Sequence, residues 1–143
     1  MTLRPARWSD ALFLLRLAND PAMVAARLEP RRIGLCEHLR WMRRTLANSD
    51  VALYIAEVGG RRVGEIRLDR MRGPTWVGLV VSPKYRGRGY GSEMIHAACS
   101  SVPDKVFFAQ IRTDNAASWK AFERAGFQHI GRTAFARYVK EGA

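Results

Sequence analysis

Six residues constrain this chain more than any others. Arg86-Gly87-Arg88-Gly89-Tyr90-Gly91 lie between an apolar run, Leu79-Val80-Val81, and a stretch with helical periodicity. A strand ending at Ser82-Pro83, a turn with glycine at every second position and a helix directly after it make an anion site. The N–H groups of a first helical turn have no partner inside the helix, and the helix dipole adds partial positive charge there. Glycines let backbone approach phosphate oxygens and adopt positive φ. The glycines at 87, 89 and 91 do not match the G-x-G-x-x-G of dinucleotide folds, and no G-x-x-x-x-G-K-[ST] occurs. Arginine-glycine boxes that bind RNA repeat within disordered sequence, whereas this one occurs once inside patterned sequence. A plain surface turn with basic neighbours is the remaining alternative.

The surrounding periodicity supplies the scaffold. A short strand around Leu3 precedes Ser9 and Asp10, which offer an N-cap for a helix with Ala11, Leu14, Leu15 and Ala18 on one face. Asn19-Asp20-Pro21 should end it. An arginine-rich connection through Arg27, Arg31 and Arg32 leads to Gly34 and a second helix with the face Leu35, Leu39, Met42 and Leu46. Residues 51–58 read as a strand, and Gly59-Gly60 is a hairpin signal into an antiparallel partner through Val63, Ile66 and Leu68. A third strand runs from Trp76 to Val81. The helix after the glycine turn has Met94, Ile95, Ala98, Cys99 and Val102 on one face, and a strand from Val106 to Ile111 follows. Asn115 caps a helix to Ala125, Gly126 stops it, and one or two strands lie within 127–140. Strands interleaved with helices imply an α+β fold with a mixed sheet, and without linker or repeat the whole of 1–143 reads as one domain.

Charge narrows the partners. The formal net charge of +11 is spread evenly: residues 1–72 carry 14 basic and 8 acidic side chains, residues 73–143 carry 10 and 5. A basic surface favours anionic ligands and disfavours polycations. An even spread without a basic tail fits an enzyme for phosphorylated ligands at least as well as a nucleic-acid arm. Cys36 and Cys99 form no metal or disulfide pattern and read as buried thiols. No apolar run reaches the ~18 residues of a membrane span, and no signal peptide opens the chain, so a soluble, cytoplasmic protein is expected.

The segment from Leu79 to Ser92 resembles the acetyl-coenzyme A motif of the GNAT acetyltransferases, [QR]-x-x-G-x-[GA], with Arg86, Gly89 and Gly91 at its defined positions. Asn115-Ala116-Ala117-Ser118 through Gly126-Phe127 is similar to the family's second motif. Leu3-Arg4-Pro5, Asn19-Asp20-Pro21 and Glu37-His38-Leu39-Arg40-Trp41 resemble the branch with ribosomal-protein N-terminal and nucleotide-sugar acetyltransferases. The resemblance implies a central mixed sheet splayed into a V and flanked by helices, acetyl-coenzyme A as acetyl donor, and no metal.

On that pattern, backbone of Arg86, Gly87, Arg88, Gly89, Tyr90, Gly91 and Ser92 holds the pyrophosphate. Leu79, Val80 and Val81 pair with the pantetheine amides, an N–H near Val81 polarising the thioester. Asn115 and Ser118 serve the cofactor at the start of their helix, with Phe122 beside it, and Lys84, Arg88, Lys120 or Arg124 meets the 3′-phosphate. Phe122 stands where many members carry a proton-donating tyrosine, which leaves Ser118, Tyr138 or a water to protonate the thiolate. The expected base is Glu65 or His38, each with an alternative as a solvent-facing or packing residue; His96 and His129 have weaker claims. Such a site transfers acetyl to a primary amine without an acyl-enzyme. The acceptor is expected on an anionic small molecule such as a nucleotide-linked amino sugar, with arginines 27, 31, 32, 67, 70 and 72 around its diphosphate. The alternatives are a protein N-terminus, and, from other classes, a non-catalytic coenzyme A sensor or a basic nucleic-acid-binding module. Nucleic acid and membrane are not expected partners, and the protein is expected as monomer or homodimer.

Overall fold

The computed structural model describes residues 1–27, 29–71 and 73–138, with 134–138 described by backbone alone. Strand β1 (Thr2–Pro5) leads through a 3₁₀ turn at Trp8–Asp10 into α1 (Ala11–Ala18), α2 (Pro21–Ala25) and α3 (Leu35–Ala47). Then come β2 (Val51–Val58), β3 (Arg61–Asp69), β4 (Thr75–Val81), α4 (Tyr90–Ser100), β5 (Val106–Gln110), α5 (Ala116–Arg124), β6 (Gln128–His129) and β7 (Ala134–Tyr138). The strands form one sheet in the order β1-β2-β3-β4-β5-β7-β6, antiparallel throughout except for the parallel pair β4–β5.

Strand alternation sends side chains to two cores, one on each face of the sheet. Ala56, Ile66, Leu68 and Val77 pack under Met94, Ile95, Ala98 and Cys99 of α4 and Phe122 of α5. Leu53 and Ile55 meet Leu14 of α1 and Met42 of α3 on the other face. Met42, Ile55, Ile66, Leu68, Met94 and Ile95 are all fully buried, and each contributes about 1.5–3 kcal/mol relative to an exposed side chain. The hairpin glycines Gly59 and Gly60 both take positive φ, 58° and 76°, as a two-residue turn matched to strand twist requires. At Gly64 a Cβ would lie 2.5 Å from the Val80 carbonyl oxygen, so only glycine permits the close β3–β4 approach there.

Several local expectations are corrected. Asp10 precedes α1 but its side chain does not cap it. Its carboxylate takes both Arg4 Nη atoms at 2.8 Å, the Arg7 N–H at 2.8 Å and Arg62 Nη1 at 3.3 Å. Chiefly the Arg4 hydrogen bonds hold it down to about 2 although burial opposes this, so it stays charged while only 1% exposed. In α1 the fully buried pair is Leu14 and Leu17, and Pro21 both ends that helix and occupies the first turn of α2, a short helix inside the expected connection. The α3 stripe is rotated: His38, Met42 and Thr45 are buried, while Leu35 is 49% exposed and Cys36 is exposed. His38 Nε2–H donates to the Ala11 carbonyl at 2.9 Å, and that bond lets a polar ring replace leucine in the interface. Among the described residues no helix is long and apolar enough to cross a membrane.

Candidate active site

The parallel strands β4 and β5 are in register only at Thr75↔Phe107 and Trp76↔Phe108, then separate. Residues 77–81 of β4 therefore face a wedge-shaped gap instead of a neighbouring strand. Ser82 N–H donates to Val63 O at 2.8 Å, and hydrogen bonds of an antiparallel pair alternate, so Gly78 and Val80 bond toward β3. Leu79 and Val81 then turn their backbone polar groups into the gap. Arg86 Nε–H donates to the Val81 carbonyl at 3.0 Å, and its Nη2 donates to Asp20 Oδ2 at 3.1 Å. The arginine expected at the phosphate turn through its backbone thus also ties that turn to the sheet and to the start of α2.

The glycine turn stands at the open end of the gap. Gly87 and Gly89 have φ of 77° and 81°, and a Cβ on either would meet nothing within 4 Å. Gly89 is the N-cap of α4, and no side chain caps that helix. Among the described residues the N–H groups of Gly87, Arg88 and Gly89 take no acceptor; Arg86 N–H donates to Pro83 O and Glu93 N–H to Gly89 O, both at 3.4 Å. Uncapped first-turn amides around open space are what an anionic diphosphate needs. Gly91 lies inside α4, where a Cβ would come 3.3 Å from Ala121 Cβ, so this glycine brings α4 and α5 together. Lys84 and Arg88 lie over the Tyr85 ring at 5.2 and 5.4 Å, cationic groups beside the same turn.

Helix α5 begins as expected. Asn115 Oδ1 accepts from Ser118 N–H at 3.2 Å, leaving the amide nitrogen of Asn115 free for another partner. Ser118, three residues before Ala121, lies on the side of α5 turned toward α4. Phe122 is 2% exposed and meets Phe127 edge-on at 4.9 Å, so it is core and offers no proton. Phe122→Tyr is expected to leave coenzyme A affinity within about threefold while lowering stability by about 1–3 kcal/mol, the cost of burying a hydroxyl. Calorimetry and thermal denaturation check it, and a large loss of affinity would place this ring at the ligand.

Of the expected bases, Glu65 lies nearer the gap. It is directly opposite Val80 in the β3–β4 register, on the face away from α4. The residue keeps some exposed surface while its carboxyl lies deep among protein atoms, and burial pushes that carboxyl up to about 7 against the pull of the Arg67 guanidinium. His38 is instead a packing residue between α1 and α3, stacked on Trp41 at 5.5 Å and held toward the neutral form by burial. His96 is exposed, and His129 packs on Trp119 at 4.8 Å. Tyr138 pairs with Val106 at the start of β5, beside the Thr75↔Phe107 pair where β4 and β5 are joined, and its side chain lies outside the described residues. Sequence reading missed Trp76. Its Nε1 is buried without an acceptor among the described residues, its ring lies 5.6 Å from Phe108, and it shares the Glu65 face of the sheet. Nothing in the residue spacing marks it.

The expected arginine cluster around a diphosphate is dispersed. Arg31 pairs with Glu37 at 2.7 Å, Arg67 with Asp69 at 3.1 Å and Arg70 with Asp104 at 2.8 Å. Arg27 donates to the carbonyls of Arg31 and Ala18. Arg72 lies outside the described residues. Lys120 and Arg124 are exposed on α5. No group of three or more metal-ligating side chains occurs among the described residues.

A model of the acetyltransferase (GNAT) domain family matches residues 1–128. A curated relative, the N-alpha-acetyltransferase RimI of Mycobacterium tuberculosis (strain ATCC 25618 / H37Rv), is 32% identical over 81 residues, which cover 53% of this chain and 51% of the relative. The alignment thus spans about half the length of the curated relative. Solved structures share the fold at lower identity. AAC(6')-Ib in complex with ribostamycin and coenzyme A superposes with a TM-score of 0.83 at 18% identity, covering 96% of this chain and 92% of that one. A spermidine N-acetyltransferase from Vibrio cholerae, in complex with coenzyme A and spermine, gives 0.78 at 15% identity, covering 95% and 91%.

Proposed function

Because the chain belongs to the GNAT acetyltransferase family, we propose that it transfers the acetyl group of acetyl-coenzyme A to a primary amine by direct attack in a ternary complex. The observation that carries this reading is the gap between β4 and β5, which has free strand amides along one wall and an uncapped glycine turn at its mouth. The amides of residues 87–92 hold the pyrophosphate, with Asn115 and Ser118 contributing from the start of α5. Leu79 pairs with the pantetheine, and the Val81 N–H, aimed into the gap, polarises the thioester carbonyl. Glu65 removes a proton from the ammonium form of the acceptor, directly or through water, since a carboxyl poised near neutrality is suited to that work. The amine nitrogen then bonds to the carbonyl carbon, the carbon–sulfur bond breaks, and the thiolate leaves. A free thiol has a pKa near 8.5, so the thiolate is a tolerable leaving group without a tyrosine, and the second proton shed by the nitrogen reaches the sulfur through Ser118 or water.

The acceptor we favour is an amine on an anionic small molecule such as a nucleotide-linked amino sugar, because the net charge of +11 disfavours polycationic amines. A protein N-terminus is a second reading with one specific support, the 32% identity to RimI. Thiol release from acetyl-coenzyme A across nucleotide-linked amino sugars, peptides with free N-termini and polyamines tests both. Release is expected with the first class and not with spermine. Absence of release with any amine would leave a non-catalytic binder of coenzyme A.

A further inference from the structure

We infer that a groove walled by Arg16, Arg32, Arg61 and Arg62 binds a phosphate or diphosphate carried by the amine acceptor, a placement that rests on the acetyltransferase reading above. The groove has a volume of about 760 Å3 and lies between the end of α1, the start of α2, the β2–β3 turn and the segment Ser82–Tyr85. That is the size of a small-molecule site. Its lining contains none of residues 77–81 that face the gap between β4 and β5, and none of its four arginines is in the glycine turn.

Its charge is nearly all of one sign. Arg16, Arg32, Arg61, Arg62 and Lys84 face one carboxylate, Asp20, and Arg86 already engages that carboxylate at 3.1 Å. Arg16, Arg32 and Arg61 make no ion pair among the described residues, whereas Arg31, Arg67, Arg70 and Arg112 are each neutralised by an acid. Arg62 is held in place: Nη1 donates to Asp10 at 3.3 Å and its guanidinium lies over the Phe13 ring at 4.9 Å. The Asp10 that fixes it is itself buried and locked by Arg4. A fixed guanidinium accompanied by unpaired ones in a hollow matches the several oxygens of a phosphate group.

Register links this groove to the candidate base. Glu65 stands opposite Ile55 and Arg62 opposite Glu57, with a bulge between the two pairs. Ile55 and Glu57 are two residues apart and so share a face, which places Glu65 and Arg62 on one side of the sheet about 7 Å apart along the strand. An amine at Glu65 and a phosphate at Arg62 are then compatible with one small acceptor. Several guanidinium groups around a single hollow favour clustered phosphate oxygens over the spaced carboxylates of an acidic peptide.

The test uses the full chain saturated with coenzyme A, so that the glycine turn is filled, and the triple variant R16Q/R32Q/R61Q. Inorganic pyrophosphate is expected to bind the saturated wild type, and to bind the variant at least tenfold more weakly, while coenzyme A affinity agrees within threefold. Pyrophosphate binding that vanishes on saturation, or that the variant retains, overturns the inference. Where turnover is found, kcat/KM for a phosphorylated amine should fall at least tenfold in the variant through KM. Equal KM values overturn the groove assignment while leaving acetyl transfer standing. Absence of turnover with every amine overturns the transfer reading, and the groove assignment with it as an acceptor site. An equal or larger KM increase with a free-amine peptide rich in glutamate would replace the phosphate ligand with an acidic polypeptide.

Discussion

Gly89→Val is expected to abolish coenzyme A binding, weakening affinity at least ~100-fold, or about 2.7 kcal/mol, by isothermal titration. Two effects act together. Gly89 has φ of 81° and ψ of 4°, a left-handed conformation in which a β-branched residue is strongly disfavoured. The space a Cβ would enter holds no protein atom within 4 Å, which is the room the proposal assigns to phosphate oxygens. The rest of α4 is held by Met94, Ile95, Ala98 and Cys99 against the sheet, so the helix should persist with a modest loss of thermal stability. Unchanged affinity in a folded variant would mean that the diphosphate lies elsewhere.

Glu65→Gln is expected to lower kcat by about 10²–10⁴, the range ascribed to a general base. The wild-type rate should rise with pH through an apparent pKa of about 7, and the variant should lose that limb. Stability supplies an independent readout. The folded-state value of this carboxyl is raised from 4.5 to about 7, so the folded protein binds the proton more tightly than the unfolded chain does. Its favourable contribution is full below about 4.5 and is lost as pH rises through 7. The glutamine variant should therefore match the wild type near pH 4 and exceed it near pH 8, by on the order of 2–3 kcal/mol. Equal stability at pH 8 would show that Glu65 is already solvated, and an unaltered pH–rate profile would remove it as the base.

Gly89 and Glu65 differ in how much of their setting local sequence carries. The glycine turn was legible because its chemistry is local: three glycines, a strand before and a helix after determine backbone direction and amide exposure without reference to the rest of the chain. Asn115 and Gly126 were legible for the same reason, and both occupy the helix ends they were assigned. Glu65 and His38 were not separable in sequence. Each lies in an amphipathic element, and which one enters the packed interface depends on what approaches from another element: the Ala11 carbonyl for His38, the flanking strands β2 and β4 for Glu65.

The arginines make the contrast plainest. Their number and the resulting charge of +11 follow from composition, and so does the expectation of an anionic ligand. Their division into neutralised pairs such as Arg70–Asp104, 34 residues apart, and unpaired groups around a groove follows only from tertiary structure. Local sequence thus determined the strands, most helices and the glycine turn, because backbone geometry and periodicity act over a few residues. The splay of β4 from β5, the raised carboxyl of Glu65 and the choice of free guanidinium groups were decided by contacts between distant segments. Burial and charge neutralisation depend on three-dimensional neighbours that no short window of sequence contains.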